Sequence, residues 1–465
     1  MSATAGVVLR GVAQLSLGTT LVQVMVAVSQ AVLVVWLSPE EFGLWAAATS
    51  SMAVLTGLVN FGEVNGYLAG GEERLREARR AIWRLNGLLT LVAGVVVASY
   101  WVSGQHEVAI LVALVGLNIP LLGECNLLYA AYVRRRANGS LVRAQVVSGL
   151  ARTAVGLSVA WLTGSALAFA LAMVAYSAVM IALLTPRTRA WRNRSGEPST
   201  QPGWRARAAW SVQALCQLLP TQVDFLVVSL VAGPTLLGLY FFAYQVTVGL
   251  SGLVAPPLAK SVLAALAAED ERTRPVLAEK LMSVVAAGVG AAVAVAVSAI
   301  ALAGGMLPGD WQAAAPVICI LLASLPARFL TTLTDVMQMA SGSWWRSAAL
   351  NALDAAGTAA TALTALTGDI TVLALSMVGW KTAVMVLRMW RCPLALSARR
   401  RAAIVAPAVL VAGGLTAAAL VGRPSLWLLA ASVLAFCAVR AVAVWRTDRP
   451  VAAVPQPAAA ESSWS

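Results

Sequence analysis

The sequence predicts an all-α polytopic membrane protein, and three observations lead to this fold class. Hydrophobic residues make up 60% of the 465 residues, charged residues make up only 11%, and the mean hydropathy is +0.80. Soluble domains are about 45–50% apolar and about 25% charged. Apolar runs of about 20 residues, the length that crosses a bilayer, recur from Gly11 to Trp445, and short charged clusters separate them. A soluble helical protein of this composition would have hardly any polar surface, so we set that reading aside.

The apolar runs predict about fourteen transmembrane helices. We place them at 11–36, 43–69, 81–102, 108–133, 141–163, 165–185, 208–231, 235–258, 281–306, 313–340, 347–366, 371–390, 402–421 and 425–445. The first run lacks the charged segment and the small-residue exit of a cleavable signal peptide. We therefore expect it to stay in the membrane as an anchor.

The positions of lysine and arginine predict the orientation, because cytoplasmic loops carry an excess of both. Basic residues fall in alternate loops, at 74–84, 134–143, 187–207, 260–280, 346 and 391–401. The other loops hold none apart from Arg423. The pattern predicts a multi-pass protein of the cytoplasmic (inner) cell membrane with both termini in the cytoplasm.

The formal charge of +13 does not indicate a nucleic-acid partner, because the charges alternate with apolar spans instead of forming one basic face. The five cysteines show no metal-ligand spacing. We expect no metal and no cofactor.

Composition predicts how the spans are grouped. The stretch 186–207 is rich in Gly, Pro and Ser and follows six spans, so it predicts a cytoplasmic linker. The predicted order is an N-terminal six-helix bundle (1–185), the linker, a C-terminal six-helix bundle (208–395), two additional helices (396–445) and a disordered cytoplasmic tail (446–465).

A short internal repeat supports the two bundles. The loop at Ser38-Pro39-Glu40-Glu41-Phe42-Gly43-Leu44-Trp45 shares its pattern with Gly233-Pro234-Thr235-Leu236-Leu237-Gly238-Leu239-Tyr240. Each segment joins the first two spans of a six-span block. Since six is even, both blocks enter the membrane from the same side, and transporters built from such parallel repeats bind substrate between the halves.

Eight charged residues fall within or close to the predicted spans, where an ionisable side chain costs about 2.5–3.5 kcal/mol and usually faces a cavity or a partner. They are Glu63, Glu124, Arg152, Asp224, Arg328, Asp335, Asp354 and Lys381. We predict a polar cavity in which Arg152, Arg328 and Lys381 bind an anionic group and the five carboxylates line the cavity or couple to an ion. The alternative is internal pairing that locks helices together, for example of Arg152 with Glu124. Arg328 and Asp335 are seven residues apart, which predicts that they share a helix face along the cavity wall.

Six prolines also fall within the predicted spans, as expected of helices that bend during transport, although static membrane bundles contain them as well. They are Pro120, Pro220, Pro256, Pro257, Pro316 and Pro326.

The chain resembles the polysaccharide flippase branch of the MOP exporter superfamily, which has a MATE-like fold. The resemblance is carried by the turn 37–44, by Asn60-Phe61-Gly62-Glu63 at the end of the second span, and by 222–229 running into Gly238-Leu239-Tyr240. It covers about residues 8–395. Where many relatives have Asp-x-Gly, this chain has Asn60-Phe61-Gly62-Glu63, a departure that bears on any role for Glu63.

The resemblance implies two six-helix bundles around a central cavity, two peripheral helices, and alternating access. It implies a substrate of undecaprenyl-diphosphate-linked oligosaccharide, flipped across the membrane for surface polysaccharide biosynthesis, with a polymerase and glycosyltransferases as partners besides membrane lipid. The diphosphate and sugars would lie beside Arg152, Arg328 and Lys381.

Two other functions stay open. A cation-coupled drug or metabolite antiporter of the same superfamily usually carries an acid in the first span, whereas 11–36 has only Gln14, Gln23 and Gln30 as strongly polar residues. A membrane enzyme of glycan assembly would use long external loops, whereas the predicted ones are short and His106 is the single histidine. We therefore expect a transporter and not an enzyme.

Overall fold

The structure is a computed structural model, and it describes residues 3–69, 75–191, 204–268, 274–303, 305, 307–341, 343–392 and 398–421. Within these ranges the chain is helical and contains no β-strand. The predicted helix 425–445, the tail 446–465 and positions 192–203 of the predicted linker lie outside the described residues. Within each helix the backbone hydrogen bonds are made inside the segment, as the bilayer core requires of a spanning structure.

The helices of the first half are α1 (Ala3–Leu33), α2 (Pro39–Leu58), α3 (Glu63–Ala69), α4 (Leu75–Val102), α5 (His106–Arg134), α6 (Asn138–Thr163) and α7 (Leu167–Trp191). Those that follow are α8 (Trp204–Leu218), α9 (Val223–Val231), α10 (Pro234–Ala268), α11 (Arg274–Ala303), α12 (Ala314–Leu322), α13 (Leu325–Ala340), α14 (Trp344–Ala362), α15 (Ile370–Arg391) and α16 (Ala398–Val421).

Among the described residues, six helices are long and apolar enough to cross a membrane, and two bent pairs raise the number to eight. The class of polytopic helical membrane protein is thus confirmed, whereas the predicted number of fourteen spans is not. One cause is that some predicted spans are broken. The predicted helix 43–69 divides into α2 and α3, with positive φ angles at Phe61 (34°) and Gly62 (70°) in the break. Only glycine adopts such angles without strain.

Two more spans are bent. Residues 211–221 meet 223–231 at 47°, and 309–322 meet 325–338 at 43°. Pro220 lies in the first bend, inside the 3-10 segment 219–221, and Pro326 opens α13 just after the second. Pro316 lies in the first turn of α12. Three other prolines behave differently from the prediction, because α5 continues through Pro120 and α10 through Pro256 and Pro257. A neighbouring helix can re-satisfy the backbone groups that such a proline leaves unpaired.

The two copies of the repeat meet each other at one end of the bundle, where α2 and α10 begin. Ser38 caps α2 by accepting a hydrogen bond from the Glu41 amide (3.3 Å), and Pro39 occupies the first turn. A Cβ atom at Gly43 would overlap the Pro234 carbonyl oxygen, and one at Gly238 would overlap the Pro39 carbonyl oxygen. The contact is reciprocal, as an approximate two-fold relation between α2 and α10 requires. We call this end of the protein the repeat-contact end.

Four aromatic rings pack at the repeat-contact end. Phe42 lies edge-to-face against Phe169 (4.9 Å between ring centroids) and Trp311 (4.8 Å), and Trp311 packs likewise against Phe242 (4.9 Å). The Trp311 indole also donates to the Leu37 carbonyl oxygen at 3.1 Å. These rings come from both predicted halves, so they join the halves into one buried apolar cluster at this end.

Candidate substrate cavity

A cavity of about 540 Å³ lies between the helices of the two predicted bundles. Its wall includes side chains from α1, α2, α6 and α7 of the first half and from α8, α10, α13, α14 and α15 of the second. Phe169 of the aromatic cluster contributes to the lining, so the cavity reaches the inner side of that cluster. Much of the wall is uncharged but polar, with the side chains of Gln30, Gln217, Gln222, Gln245 and Asn351.

The structure brings together the three cations that the sequence predicts for the cavity. Arg152 comes from α6, Arg328 from α13 and Lys381 from α15, and all three line this one cavity. The three residues are far apart in the sequence, so they come close together only because the three helices pack around one cavity. The predicted substrate-binding role of these residues stays a prediction.

Arg328 is held in a fixed orientation. Its Nε donates to Ser324 Oγ (3.2 Å) and its Nη1 donates to the Tyr244 hydroxyl (3.2 Å). The guanidinium carbon lies 4.7 Å from the centre of the Tyr244 ring, a cation–π arrangement. No described carboxylate lies within ion-pair distance of Arg328. Its charge is therefore oriented by neutral groups and is not cancelled by a hydrogen-bonded acid.

Arg152 has no hydrogen bond or ion pair to any side chain that the structure describes. The pairing with Glu124, which the sequence leaves open, does not occur. Glu124 lies on α5 and binds Arg79 in two hydrogen bonds, and it accepts a third from the Trp83 indole at 2.9 Å. Glu124 is only 3% exposed, so this arrangement satisfies a buried carboxylate away from the cavity.

Lys381 differs from the two arginines because it has a carboxylate partner. Its Nζ donates to Asp354 Oδ1 (2.8 Å), Thr358 Oγ1 (2.9 Å) and the Pro220 carbonyl oxygen (3.3 Å). The Trp380 indole donates to the same Asp354 oxygen at 3.1 Å. Asp354 lines the cavity, as predicted of a cavity acid, but its charge is paired with that of Lys381.

Asp335 and Asp224 lie outside the cavity lining. Asp335 pairs with Arg388, which is fully buried, and accepts from Ser347 at 3.2 Å. Asp224 accepts from the Tyr240 hydroxyl at 2.8 Å and from the Phe225 amide at 3.0 Å. The inference that Arg328 and Asp335 share the cavity wall is thus wrong for Asp335, because α13 turns that residue toward α15.

Glu63 begins α3, next to the break that follows α2, and it is half-buried.

Arg388 is the buried charge that sequence reasoning missed, because it lies close to the end of a predicted span. It also donates to Asn351 Oδ1 at 2.6 Å, and Asn351 lines the cavity. A signal was present in the spacing, since Lys381 and Arg388 are seven residues apart, like Arg328 and Asp335. On α13 and on α15, one charged residue lines the cavity (Arg328 and Lys381) and a second follows two helical turns later (Asp335 and Arg388). The two later residues pair with each other across the two helices.

The position of Asp354 depends on a close contact between α14 and α15. A Cβ atom at Gly357 would overlap the Trp380 ring, whereas nothing lies within 4 Å of a Cβ at Gly379 on the neighbouring helix. We expect Gly357→Ala to displace Trp380 and lower stability by about 1–3 kcal/mol, the usual cost of overpacking. Thermal unfolding of purified protein in detergent measures the effect. Gly379→Ala is the matched control and should unfold like the wild type; equal midpoints for both variants would contradict a tight contact between Gly357 and Trp380.

The arrangement suits an anion. Two guanidiniums line the cavity without a described carboxylate partner, and the Lys381–Asp354 pair adds no net charge. Guanidinium groups bind phosphate through paired hydrogen bonds, and each charge-assisted bond is stronger in a partly dry cavity than in water. A phosphate or diphosphate group is therefore the chemistry that this cavity can hold.

Comparisons with known proteins bear on both the fold and the family. A family model described as "Polysaccharide biosynthesis protein" matches residues 32–316. No curated protein matches the chain. Among solved structures, the lipid II flippase MurJ in an inward closed conformation aligns with a TM-score of 0.66 at 10% identity, covering 93% of this chain and 98% of that chain.

Two other solved structures are similar at lower scores. An inward-facing multidrug resistance MATE family transporter of the MOP superfamily gives a TM-score of 0.45 at 13% identity, covering 92% of this chain and 96% of that chain. The MATE transporter ClbM in complex with Rb⁺ gives 0.40 at 14% identity, covering 86% and 96%. The alignment with MurJ shows a shared fold, and the match of the family model confirms the predicted resemblance to proteins of polysaccharide biosynthesis. Because the family model matches more than half of the length of this chain, the chain belongs to the family of polysaccharide biosynthesis proteins.

Proposed function

We propose that this protein flips an undecaprenyl-diphosphate-linked oligosaccharide across the cytoplasmic membrane for surface polysaccharide biosynthesis. The observation that carries the proposal is the presence of Arg152 and Arg328 in one cavity, each without a described carboxylate partner. A lipid-linked sugar has a diphosphate between its apolar chain and its polar head. The two guanidiniums can neutralise that group, while the amide side chains of the wall can donate to and accept from sugar hydroxyls.

The repeat-contact end faces the outside in this proposal, and the cavity is closed there by the α2–α10 contact and the aromatic cluster. Substrate then enters from the cytoplasmic side, and the halves separate at the repeat-contact end to release it. The mechanism is alternating access between two arrangements of packed helices. The protein would work with the glycosyltransferases that build the lipid-linked sugar and with a polymerase that consumes it.

The orientation makes a direct prediction for the two ends of α4 and α5. A cysteine in place of His106 should react with an impermeant thiol reagent added to intact cells, since it lies in a predicted outer loop. A cysteine in place of Arg76, at the other end of α4, should react only after permeabilisation. Cys125, Cys319 and Cys392 are buried and should react little. The wild-type protein, treated in the same way, measures the background labelling of all native cysteines. Labelling in the reverse order would overturn the orientation.

Ligand binding tests the proposal without a transport assay. We expect a short isoprenyl diphosphate to raise the thermal unfolding midpoint of the purified protein more than the matching monophosphate does, because two phosphates reach two arginines. A cationic drug should have no such effect. Stabilisation by the drug and not by the diphosphate would favour the antiporter, the alternative within the same superfamily.

A further inference from the structure

The ammonium group of Lys381 lies in a cage of oxygen atoms from three separate residues. The oxygens are a carboxylate oxygen of Asp354 and a hydroxyl of Thr358, both on α14, and the carbonyl of Pro220 in the bend between α8 and α9. Lys381 itself comes from α15 and is 8% exposed. One carboxylate, one hydroxyl and one backbone carbonyl form a hard oxygen set, the kind that alkali and alkaline-earth cations prefer.

The Pro220 carbonyl is available because the helix is broken at that point. Residues 219–221 form a 3-10 turn, and the segments on either side meet at 47°. A break of this kind leaves carbonyl groups without a partner within the helix. Unwound carbonyls in discontinuous membrane helices are a recurring source of ligands for monovalent cations in transporters.

The cage is held together by contacts that do not involve the amine. The Trp380 indole donates to both the carboxylate and the backbone carbonyl of Asp354 (3.1 and 3.2 Å), and its ring packs on Gly357. Thr358 Oγ1 also lies 3.3 Å from Asp354 Oδ1. The oxygens of α14 are therefore positioned by their neighbours, and removal of the lysine amine would leave them in place as a site for a cation.

We propose that these oxygens form a monovalent-cation site which, in this protein, is filled by the chain's own Lys381 ammonium. Lys381 is thus a tethered cation that joins α14, α15 and the α8–α9 bend, and the native protein does not bind Na⁺ at this place. Removal of the amine opens the site to Na⁺. This inference concerns ion binding and stands apart from the identity of the transported lipid.

The test is the Na⁺ dependence of thermal unfolding for purified Lys381→Ala. Sodium chloride is exchanged for N-methylglucamine chloride at constant ionic strength. The variant should show a saturable rise of its unfolding midpoint with Na⁺, and the wild type should show none. A double variant, Lys381→Ala with Asp354→Asn, lacks the carboxylate and should lose the rise. Arg328→Ala is the matched control, because it removes a different cavity cation and should respond to Na⁺ as the wild type does.

Two results would overturn the proposal. One is a Lys381→Ala protein whose midpoint does not depend on Na⁺ although it folds and is monodisperse. The other is a saturable Na⁺ stabilisation of the wild type that Asp354→Asn abolishes, because the site would then accept Na⁺ with the lysine present. If Lys381→Ala does not fold, the Na⁺ dependence of the unfolding midpoint is measured for Lys381→Ser instead, and the same two results would overturn the proposal.

Discussion

Substitution of Gly43 or Gly238 by alanine is expected to disfavour closure of the repeat-contact end and to lower transport strongly. Each new methyl group would overlap a backbone carbonyl oxygen of the facing helix, Pro234 in one case and Pro39 in the other. A backbone atom cannot turn aside as a flexible side chain can, so α2 and α10 must separate. At an overpacking cost of about 1–3 kcal/mol, the closed state loses roughly 5- to 150-fold in population relative to the open one.

The separation can be measured with spin labels at Glu40 and Thr235, two exposed positions near the starts of α2 and α10. The distance between the labels should increase and broaden in Gly43→Ala and Gly238→Ala. Gly249→Ala is the matched control, since it lies on α10 and nothing is within 4 Å of a Cβ there. Unchanged distances in both glycine variants would contradict the inference that the reciprocal contact closes this end of the protein.

Loss of Arg152 and Arg328, the two cavity arginines without a carboxylate partner among the described residues, is expected to have the other large effect. A hydrogen bond to a charged group contributes about 1.5–3 kcal/mol, so Arg152→Ala or Arg328→Ala should lower the apparent affinity for a diphosphate-bearing lipid by roughly 10- to 150-fold. The double variant should be inactive. Export by whole cells and binding by purified protein both report the effect. Lysine at either position should restore part of the affinity, because it keeps the charge but not the paired hydrogen bonds.

Arg76→Ala is the control for these variants, because Arg76 is exposed at the start of α4 and does not line the cavity. It should bind and export like the wild type, with equal amounts of folded protein in the membrane. If the Arg152 and Arg328 variants export as well as Arg76→Ala and the wild type do, these two arginines have no part in substrate binding.

Much of the architecture is predictable from composition and charge because the bilayer imposes it. Apolar runs mark the helices, and the repeat at Pro39–Gly43 and Pro234–Gly238 marks the place where the halves meet. The break after Leu58 is not predictable in this way, because hydropathy does not detect the positive φ angles at Phe61 and Gly62. The bend at Pro220 is signalled by its proline, yet the same signal at Pro120 accompanies a continuous helix.

The candidate site is predictable in part. Mid-span position identifies Arg152, Arg328, Asp354 and Lys381, all of which line one cavity. The pairings are not predictable, because Glu124 binds Arg79 and Asp335 binds Arg388 across helices whose relative rotation one sequence does not specify. Charge count alone therefore overstates the number of carboxylates at the cavity.

The most direct test of the central proposal is a flipping assay with purified protein in liposomes. A fluorescent undecaprenyl-diphosphate-linked oligosaccharide is placed in both leaflets, and a membrane-impermeant reagent destroys only the outer pool. Wild-type protein should make nearly all of the lipid accessible, the Arg152→Ala Arg328→Ala variant should leave the inner pool protected, and Arg76→Ala should match the wild type. Equal protection in wild-type and protein-free liposomes, with folded protein present, would contradict the proposal.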